Sequence, residues 1–185
     1  LKRAANLDIA MICPLHGPIL KENLAYYLGK YGIWSSYQPE DEGVVVEYAS
    51  VHGHTAKTAE KFTEILEAKG AKKVVLFDLC RDDIHVAVED AFRYSHLVLA
   101  AVTYDGGVFP AMENFLNKLK SKNFQKRTVG IIENGSWAPM AGKTMKSMLE
   151  GLKELTILEP VVTVKSALKA ENLPQLEALA ERVLA

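Results

Sequence analysis

The sequence lacks three features that would assign it to a class at once: a membrane-length apolar run, an excess of charge of one sign, and a set of cysteines. No apolar run approaches the ~20 residues that a membrane-spanning helix needs. The 22 basic and 23 acidic residues leave a formal net charge of −1. Because this balance offers no electrostatic attraction to polyanions, we expect neither a nucleic-acid partner nor a membrane partner.

Cysteine is scarce, with only Cys13 and Cys80 in the chain. Two lone cysteines exclude a disulfide framework, and they predict a pair of buried thiols in a reducing compartment. The N-terminus has no secretion-signal pattern, so we expect a cytoplasmic location. With 49% hydrophobic residues, the 185-residue chain can form one ordinary domain with a short appendage. It begins at Leu1 instead of Met, which predicts a piece of a longer protein.

Residues 1–38 differ from the rest of the chain and predict a short separate piece. Residues 9–12 predict a strand, and residues 13–18, with two prolines and a glycine, predict a turn. The apolar face of the helix expected next consists of Leu20, Leu24, Leu28 and Tyr31. Residues 39–43 are polar and bounded by Pro and Gly, so they predict a linker to a domain at 44–185.

Residues 44–185 alternate five times between an apolar run and an amphipathic helix. Apolar runs without alternation are typical of parallel strands that are buried on both faces. This order predicts an α/β fold, a three-layer α/β/α sandwich whose five-stranded parallel sheet has the order 2-1-3-4-5. The predicted strands are 44–49, 73–78, 97–102, 128–132 and 156–164. The predicted helices are 54–69, 82–93, 109–120, 140–154 and 171–184.

A phosphate-binding loop is predicted where the first strand ends. Backbone N–H groups at a helix start are unpaired, and the helix dipole favours an anion there. The loop offers hydroxyls and one nearby cation, Lys57, which suits a phosphate monoester. A magnesium-bound triphosphate needs Gly-x-x-x-x-Gly-Lys-Ser/Thr instead. The candidate ligands are Ser50, Val51, His52, Gly53, His54, Thr55 and Thr58.

Two further loops should lie beside this one, because the carboxyl ends of parallel strands share one edge of the sheet. They follow the third and fourth strands and are rich in glycine, which lets the backbone approach a ligand closely. Each has an aromatic residue, Tyr104 or Trp137, that can stack on a planar ring. The predicted ligand is a flat, phosphorylated ring, and flavin mononucleotide (FMN) fits best. The candidates are Thr103, Tyr104, Asp105, Gly106, Gly107, Asn134, Gly135, Ser136 and Trp137.

These loops resemble those of the flavodoxin-like domain, in particular the one in flavodiiron proteins (A-type flavoproteins). The family's first loop reads Ser/Thr-x-x-Gly-x-Thr, which is matched by Ser50, Gly53 and Thr55. Its second reads Pro-Thr-x-Asn-x-Gly-x-Phe-Pro, which is matched by Thr103, Gly107, Phe109 and Pro110. Its third is a Gly-Ser segment with an aromatic residue, which is matched by Gly135, Ser136 and Trp137. The resemblance implies a flavodoxin-like, FMN-binding electron-transfer domain.

The N-terminal piece resembles the same family. Residues 12–18, Ile-Cys-Pro-Leu-His-Gly-Pro, are similar to the end of the metallo-β-lactamase-like domain that precedes the flavodoxin domain there. The resemblance implies that residues 1–38 are the remnant of that domain, and that His16 ligates a di-iron centre in the intact protein only. That centre would receive electrons from the flavin and reduce oxygen or nitric oxide. It also implies a redox donor such as rubredoxin or a reductase, a homodimer, and a chain that is catalytically incomplete alone.

Three positions depart from the family pattern. The chain has His52 where an aromatic residue is common, Asp105 where Asn is common, and Ala101-Val102 in place of a small residue and proline. We expect these to change the covering of the ring and its potential. The alternative is a stand-alone NAD(P)H:quinone oxidoreductase of the same fold, which would need a long insertion over the ring. A receiver domain would need acidic residues at the ends of the first and third strands, where this chain has none.

Overall fold

The chain folds around a parallel β-sheet, and a computed structural model describes residues 7–185. The strands are β1 (Asp41–Ala49), β2 (Val74–Asp78), β3 (Tyr94–Tyr104), β4 (Gly107–Val108), β5 (Arg127–Asn134), β6 (Leu155–Ile157) and β7 (Val162–Val164). The helices are α1 (Leu24–Ser35), α2 (His54–Ala68), α3 (Ile84–Arg93), α4 (Pro110–Ser121), α5 (Ala141–Leu149) and α6 (Leu173–Val183). A 3-10 turn, Ala170–Asn172, precedes α6. Among these described residues, no helix is long and apolar enough to cross a membrane.

The sheet has the order β2-β1-β3-β5-β6. Strand β7 also pairs in parallel with β5, and the short β4 pairs antiparallel with β3. The predicted fourth strand is β5, and the predicted fifth strand corresponds to β6 and β7 together. The α/β class, the flavodoxin-like topology and the predicted order 2-1-3-4-5 are therefore confirmed.

Helices cover both faces of the sheet because both faces are apolar. Residues 43–49 of β1 are all buried, as a strand between two layers of helices requires. On one face, α3, α4 and α5 contribute buried side chains such as Ala91, Phe115 and Met145. On the other face, α2 and α6 contribute side chains such as Phe62 and Leu179. The result is the predicted three-layer sandwich.

Two predicted elements near the C-terminus are shorter in the structure. The predicted strand 156–164 is divided into β6 and β7, with Pro160 between them, and a proline has no N–H for a strand ladder. The predicted helix 140–154 ends at Leu149 because Glu150 is extended, with ψ 136°. Gly151 follows with φ +83°, a conformation that glycine adopts without strain.

The N-terminal region also differs from its prediction. The predicted strand 9–12 is wrong, since it contains only a single antiparallel bridge between Ile12 and Leu20. Strand β1 begins at Asp41, so residues 41–43 of the predicted linker belong to the sheet. Cys13 and Cys80 are both exposed, which makes the prediction of two buried thiols wrong. Both cysteines lie outside the helices and strands, Cys13 in an irregular segment and Cys80 in the turn after β2.

The guanidinium of Arg127 fastens the N-terminal segment to the sheet. Its side chain is 3% exposed. It donates to the carbonyl oxygens of Tyr94 at 2.8 Å, Tyr37 at 2.7 Å and Lys126 at 2.9 Å, and also to that of Phe92. Burial lowers the pKa of Arg127 to about 10, which is still far above neutral, so the group stays charged. A buried charge is tolerated here because backbone carbonyl dipoles surround it.

We expect Arg127→Met to lower the free energy of unfolding by about 3 kcal/mol. Hydrogen bonds from a charged donor contribute roughly 1.5–3 kcal/mol each, and the carbonyl groups would lose their donor in a buried position. Urea denaturation followed by circular dichroism measures this change. The control, Arg93→Met, removes an ion pair between Arg93 and Asp41 whose side chains are 44% and 42% exposed, and should cost much less. Equal losses in the two variants would contradict the role of Arg127.

Candidate functional site

A cavity of about 550 Å³ opens at the carboxyl edge of the sheet, between the loops that follow β1, β3 and β5. Its volume lies in the range of roughly 300–1,000 Å³ that is typical of cofactor and small-molecule sites. The candidate residues that line it are Val51, His52, Thr103, Tyr104, Asp105, Gly106, Asn134, Gly135, Ser136 and Trp137. The candidates outside its lining are Ser50, Gly53, His54, Thr55, Thr58 and Gly107. The three predicted loops therefore meet around one space.

The loop after β1 turns into the N-terminus of α2. Gly53 occupies the N-cap position with φ 84°, which a glycine adopts without strain. The Ser50 hydroxyl oxygen accepts the N–H of Gly53 at 3.0 Å, so the hydroxyl proton remains free to donate. The first helical hydrogen bond runs from Lys57 N–H to the Gly53 carbonyl oxygen at 3.0 Å. The N–H groups of residues 54–56 thus have no intrahelical acceptor and form, with the helix dipole, an anion-binding terminus.

The hydroxyl groups of Thr58 and Thr55 lie in different environments. Thr58 is 1% exposed, and its hydroxyl donates to the carbonyl oxygen of His54 at 3.0 Å. In this arrangement the proton is engaged within the helix and is not directed at a ligand in the loop. Thr55 is 2% exposed and lies in the first turn of α2, among the unpaired N–H groups.

Two histidines and a cysteine lie in or beside this loop. His52 and His54 are both exposed. Across residues 7–185, no group of three or more His, Cys, Asp or Glu side chains could hold a metal ion. The Sγ of Cys80 lies 3.9 Å from the carbonyl oxygen of Ser50, and the pKa of this exposed thiol is raised because neighbouring protein atoms displace part of the water around it. The thiol therefore adds no negative charge beside an anion-binding loop at neutral pH.

Asp105 and Gly106 form the tight turn of a hairpin between β3 and β4. Their φ angles are 49° and 72°, and the flanking pair is Tyr104 with Gly107. Two successive positive φ angles define a type I′ turn, for which Asp-Gly is a preferred sequence. The hairpin holds Tyr104 at the cavity, 51% exposed, in a T-shaped contact with the ring of Phe109 at a centroid distance of 5.5 Å. The Asp-Gly dipeptide is a sequence signal for a hairpin, but the sequence analysis predicted only a cofactor-binding loop here.

Thr103 connects the second loop to the third. Its hydroxyl oxygen accepts the N–H groups of Met140 at 2.9 Å and Ala141 at 3.1 Å, which caps the start of α5. The backbone packs closely here, since a Cβ at Gly135 would lie 2.8 Å from the Cα of Pro139. Glycine is required at this position because a side chain would separate the two segments. Both loops are thus held rigidly on the wall of the cavity.

The third loop is also tied to the segment that follows β7. The side-chain amide of Asn134 donates to the carbonyl oxygen of Ser166 at 2.8 Å, and the hydroxyls of Ser136 and Ser166 lie 3.1 Å apart. Ser166 was not a candidate, because nothing in the local sequence links it to residues 30 positions away. Trp137 lies beyond these contacts, 90% exposed, on the rim of the cavity. Its ring is therefore available to cover a ligand.

A family model described as Flavodoxin domain matches residues 45–169. The chain is 25% identical over 184 residues to an uncharacterised protein of Methanocaldococcus jannaschii, covering 99% of this chain and 46% of that protein. It is 25% identical over 181 residues to a protein named nitric oxide reductase from Moorella thermoacetica, covering 97% and 45%. The chain thus spans about half the length of these relatives.

The solved structures include the rubredoxin oxygen:oxidoreductase of Desulfovibrio gigas. It matches this chain with a TM-score of 0.89 at 21% sequence identity, covering 98% of this chain and 45% of that chain. At this identity the match shows a shared fold. The shared fold extends over the N-terminal segment as well as the sandwich, because nearly all of the chain is covered.

We expect Thr103→Val to lower the free energy of unfolding by about 1–2 kcal/mol, because two N–H groups at the start of α5 lose their acceptor. Thr103→Ser keeps the hydroxyl and is the matched control. Urea denaturation of both variants measures the difference. If Thr103→Val and Thr103→Ser lower the free energy of unfolding equally, the hydroxyl does not cap α5 as described.

Proposed function

The chain belongs to the Flavodoxin domain family, and we propose that it binds FMN and is the electron-transfer domain of a flavodiiron-type oxidoreductase. One observation carries the proposal: three loops converge on one cavity beside the unpaired N–H groups of α2. A bound flavin supplies one- and two-electron redox chemistry, while the protein supplies binding, orientation and electrostatics. The residues that would hold it belong to loops that rigid strands position.

The phosphate would bind at the start of α2. The proton donors there are the Ser50 hydroxyl, whose oxygen already accepts the Gly53 N–H, and the N–H groups of residues 54–56. Thr55 adds a hydroxyl in the same turn. A dianionic phosphate needs several donors and gains from the positive end of a helix, so this set of groups fits it. Thr58 is left out because its proton is engaged within the helix.

The ring would lie in the cavity between Tyr104 and Trp137. These rings are 51% and 90% exposed, so both have free faces for stacking on a planar group. The space beside the Cα of Gly106 is open, since a Cβ added there would meet no atom within 4 Å among residues 7–185 outside positions 105–107, so a ligand can approach the backbone closely. The carboxylate among the lining side chains, that of Asp105, would lie near the ring and influence its charge.

The N-terminal segment supports the flavodiiron part of the proposal. Its large apolar side chains are unusually exposed: Leu15 by 97%, Ile19 by 59%, Tyr31 by 57% and Trp34 by 55%. A second cavity of about 550 Å³, to which His16 contributes, lies among such side chains. Exposed apolar patches of this kind mark interaction surfaces. We infer that this segment is the end of a metallo-β-lactamase-like domain, in which His16 would ligate a di-iron centre.

The activity and partners of the whole protein follow from the same proposal. The relatives are about twice as long as this chain, and one of them is named nitric oxide reductase. The intact protein would pass electrons from FMN to a di-iron centre that reduces nitric oxide or oxygen. Its electron donor would be a redox protein such as rubredoxin or a reductase, and its assembly a homodimer. This chain by itself would transfer electrons without completing that reaction.

The proposal is tested by titrating the flavin-free chain with FMN and with riboflavin, which lacks the phosphate, and following the flavin fluorescence. We expect one FMN per chain and at least tenfold weaker riboflavin binding. Ser50→Ala should weaken FMN binding by about ten- to a hundredfold, since a hydrogen bond to a charged group contributes roughly 1.5–3 kcal/mol. Riboflavin binding should be unchanged in this variant.

The matched control is Thr58→Val, which removes a hydroxyl whose proton is already engaged and should preserve the preference for FMN. Equal affinity for FMN and riboflavin would contradict the phosphate site, and absence of binding would contradict the proposal as a whole. Rapid reduction of the bound flavin by NADPH alone would favour the quinone oxidoreductase alternative.

Asp105→Asn should raise the midpoint potential of bound FMN by on the order of 30 mV, about 1.4 kcal/mol for a two-electron couple. A carboxylate beside the ring disfavours the more negative reduced form by Coulomb repulsion. Asn also tolerates the positive φ of this turn, so the hairpin is retained. Spectroelectrochemical titration measures the potential, and Glu113→Gln on the exposed face of α4 is the control. An unchanged potential in Asp105→Asn would exclude this role.

A further inference from the structure

Glu47 lies in the middle of β1, inside the sheet. Its Cα is paired with Phe77 of β2 on one side and with Leu99 of β3 on the other. The residue is 0% exposed, and neither carboxyl oxygen has a hydrogen-bond partner among residues 7–185. Because side chains alternate along a strand, Glu47 points to the same face as Val45 and Ala49, the face that α3 and α4 cover.

The groups that surround this carboxyl do not stabilise a negative charge. The charges that act on it are the carboxylates of Asp90 on α3 and Asp82 in the loop before α3. The phenol of Tyr94 lies on the same face, at the start of β3. The apolar side chains that β2, β3 and α4 contribute to this face include Val75, Phe77, Leu97, Leu99, Met112 and Phe115. An ionised carboxylate would therefore be desolvated and repelled.

We propose that Glu47 is a proton-binding site in the core of the sheet, whose carboxyl holds its proton in the folded domain at neutral pH and releases it on unfolding. The consequence is that the domain loses stability as the pH rises. This role is independent of flavin binding and of the cavity at the carboxyl edge. The strand that carries the proton is the one that continues into the loop at Ser50.

The direction of the pH dependence follows from proton linkage. The pKa of Glu47 is raised to about 9, mainly by burial and to a smaller extent by repulsion from Asp90 and Asp82. A glutamate in an unfolded chain titrates near pH ~4.3, so the folded state binds one more proton than the unfolded state between these values. The stabilisation is complete below the pKa of the unfolded chain. It is lost as the pH rises towards the pKa of the folded state.

The experiment compares the pH dependence of urea unfolding in wild type, Glu47→Gln and Glu67→Gln between pH 5 and 8. The unfolding constant of wild type relative to Glu47→Gln should rise at least tenfold, and up to about 1,000-fold, over this range. Glu67 is an exposed glutamate on α2, so Glu67→Gln is the matched control and should run parallel to wild type. Parallel curves for wild type and Glu47→Gln would overturn the proposal.

A second measurement keeps the proposal testable if Gln is not tolerated at this position. The infrared spectrum of wild type at pH 7 should contain the C=O stretch of a protonated, buried carboxyl group. This band should be absent from Glu47→Leu and present in Glu67→Gln. A wild-type spectrum without the band at pH 7 would overturn the proposal, whatever the stability of the variants.

Discussion

The parallel alignment of β1, β3 and β5 is the constraint on which the candidate site depends. Because β3 pairs in parallel with β1 on one side and β5 on the other, all three strands end at the same edge of the sheet. A loop follows each strand at that edge, and the loop after β1 leads directly into α2. The cavity forms because these three loops lie side by side at this edge. The strands therefore fix where the loops begin, and hydrogen bonds of Thr103 and Asn134 hold the second and third loops in place.

The order of strands and the three loops could be predicted from the sequence because both follow from local patterns. Apolar runs such as residues 44–49 mark buried parallel strands, and Ser, Gly and Thr after such a run mark a helix start. The end of α5 could not be predicted in this way, since the apolar spacing continues past Leu149 where the backbone already turns. The hydrogen bond from the Thr58 hydroxyl to the His54 carbonyl oxygen was not predicted, although the predicted helix 54–69 already placed the two residues one turn apart.

Contacts between distant segments account for most of what the sequence did not reveal. Ser166 supports the third loop and Arg127 joins β5 to Tyr37, and neither pairing has a local signature. Such contacts are products of the tertiary fold, which decides which carbonyl groups lie around a buried donor. The type I′ turn at Asp105-Gly106 is different, because its dipeptide signal is local and could have been used.

Two of the buried ionisable groups of the sheet, Arg127 and Glu47, are accommodated in opposite ways. Arg127 keeps its charge because backbone carbonyl oxygens from several segments accept hydrogen bonds from its guanidinium group. Glu47 has no such partners among the described residues, so holding a proton is the less costly state. In both cases the difference between satisfied and unsatisfied hydrogen bonds decides the charge. The carboxyl edge, where polar groups remain open to a ligand, is where binding is expected.

The most direct test of the central claim is an NMR titration of the ¹⁵N-labelled chain with FMN. Binding at the junction of the three loops predicts that the largest amide shifts fall in residues 51–56, 104–107 and 135–137. Shifts concentrated elsewhere, for example around the separate polar cavity lined by Lys165 and Lys169, would contradict the account, as would a spectrum that FMN leaves unchanged.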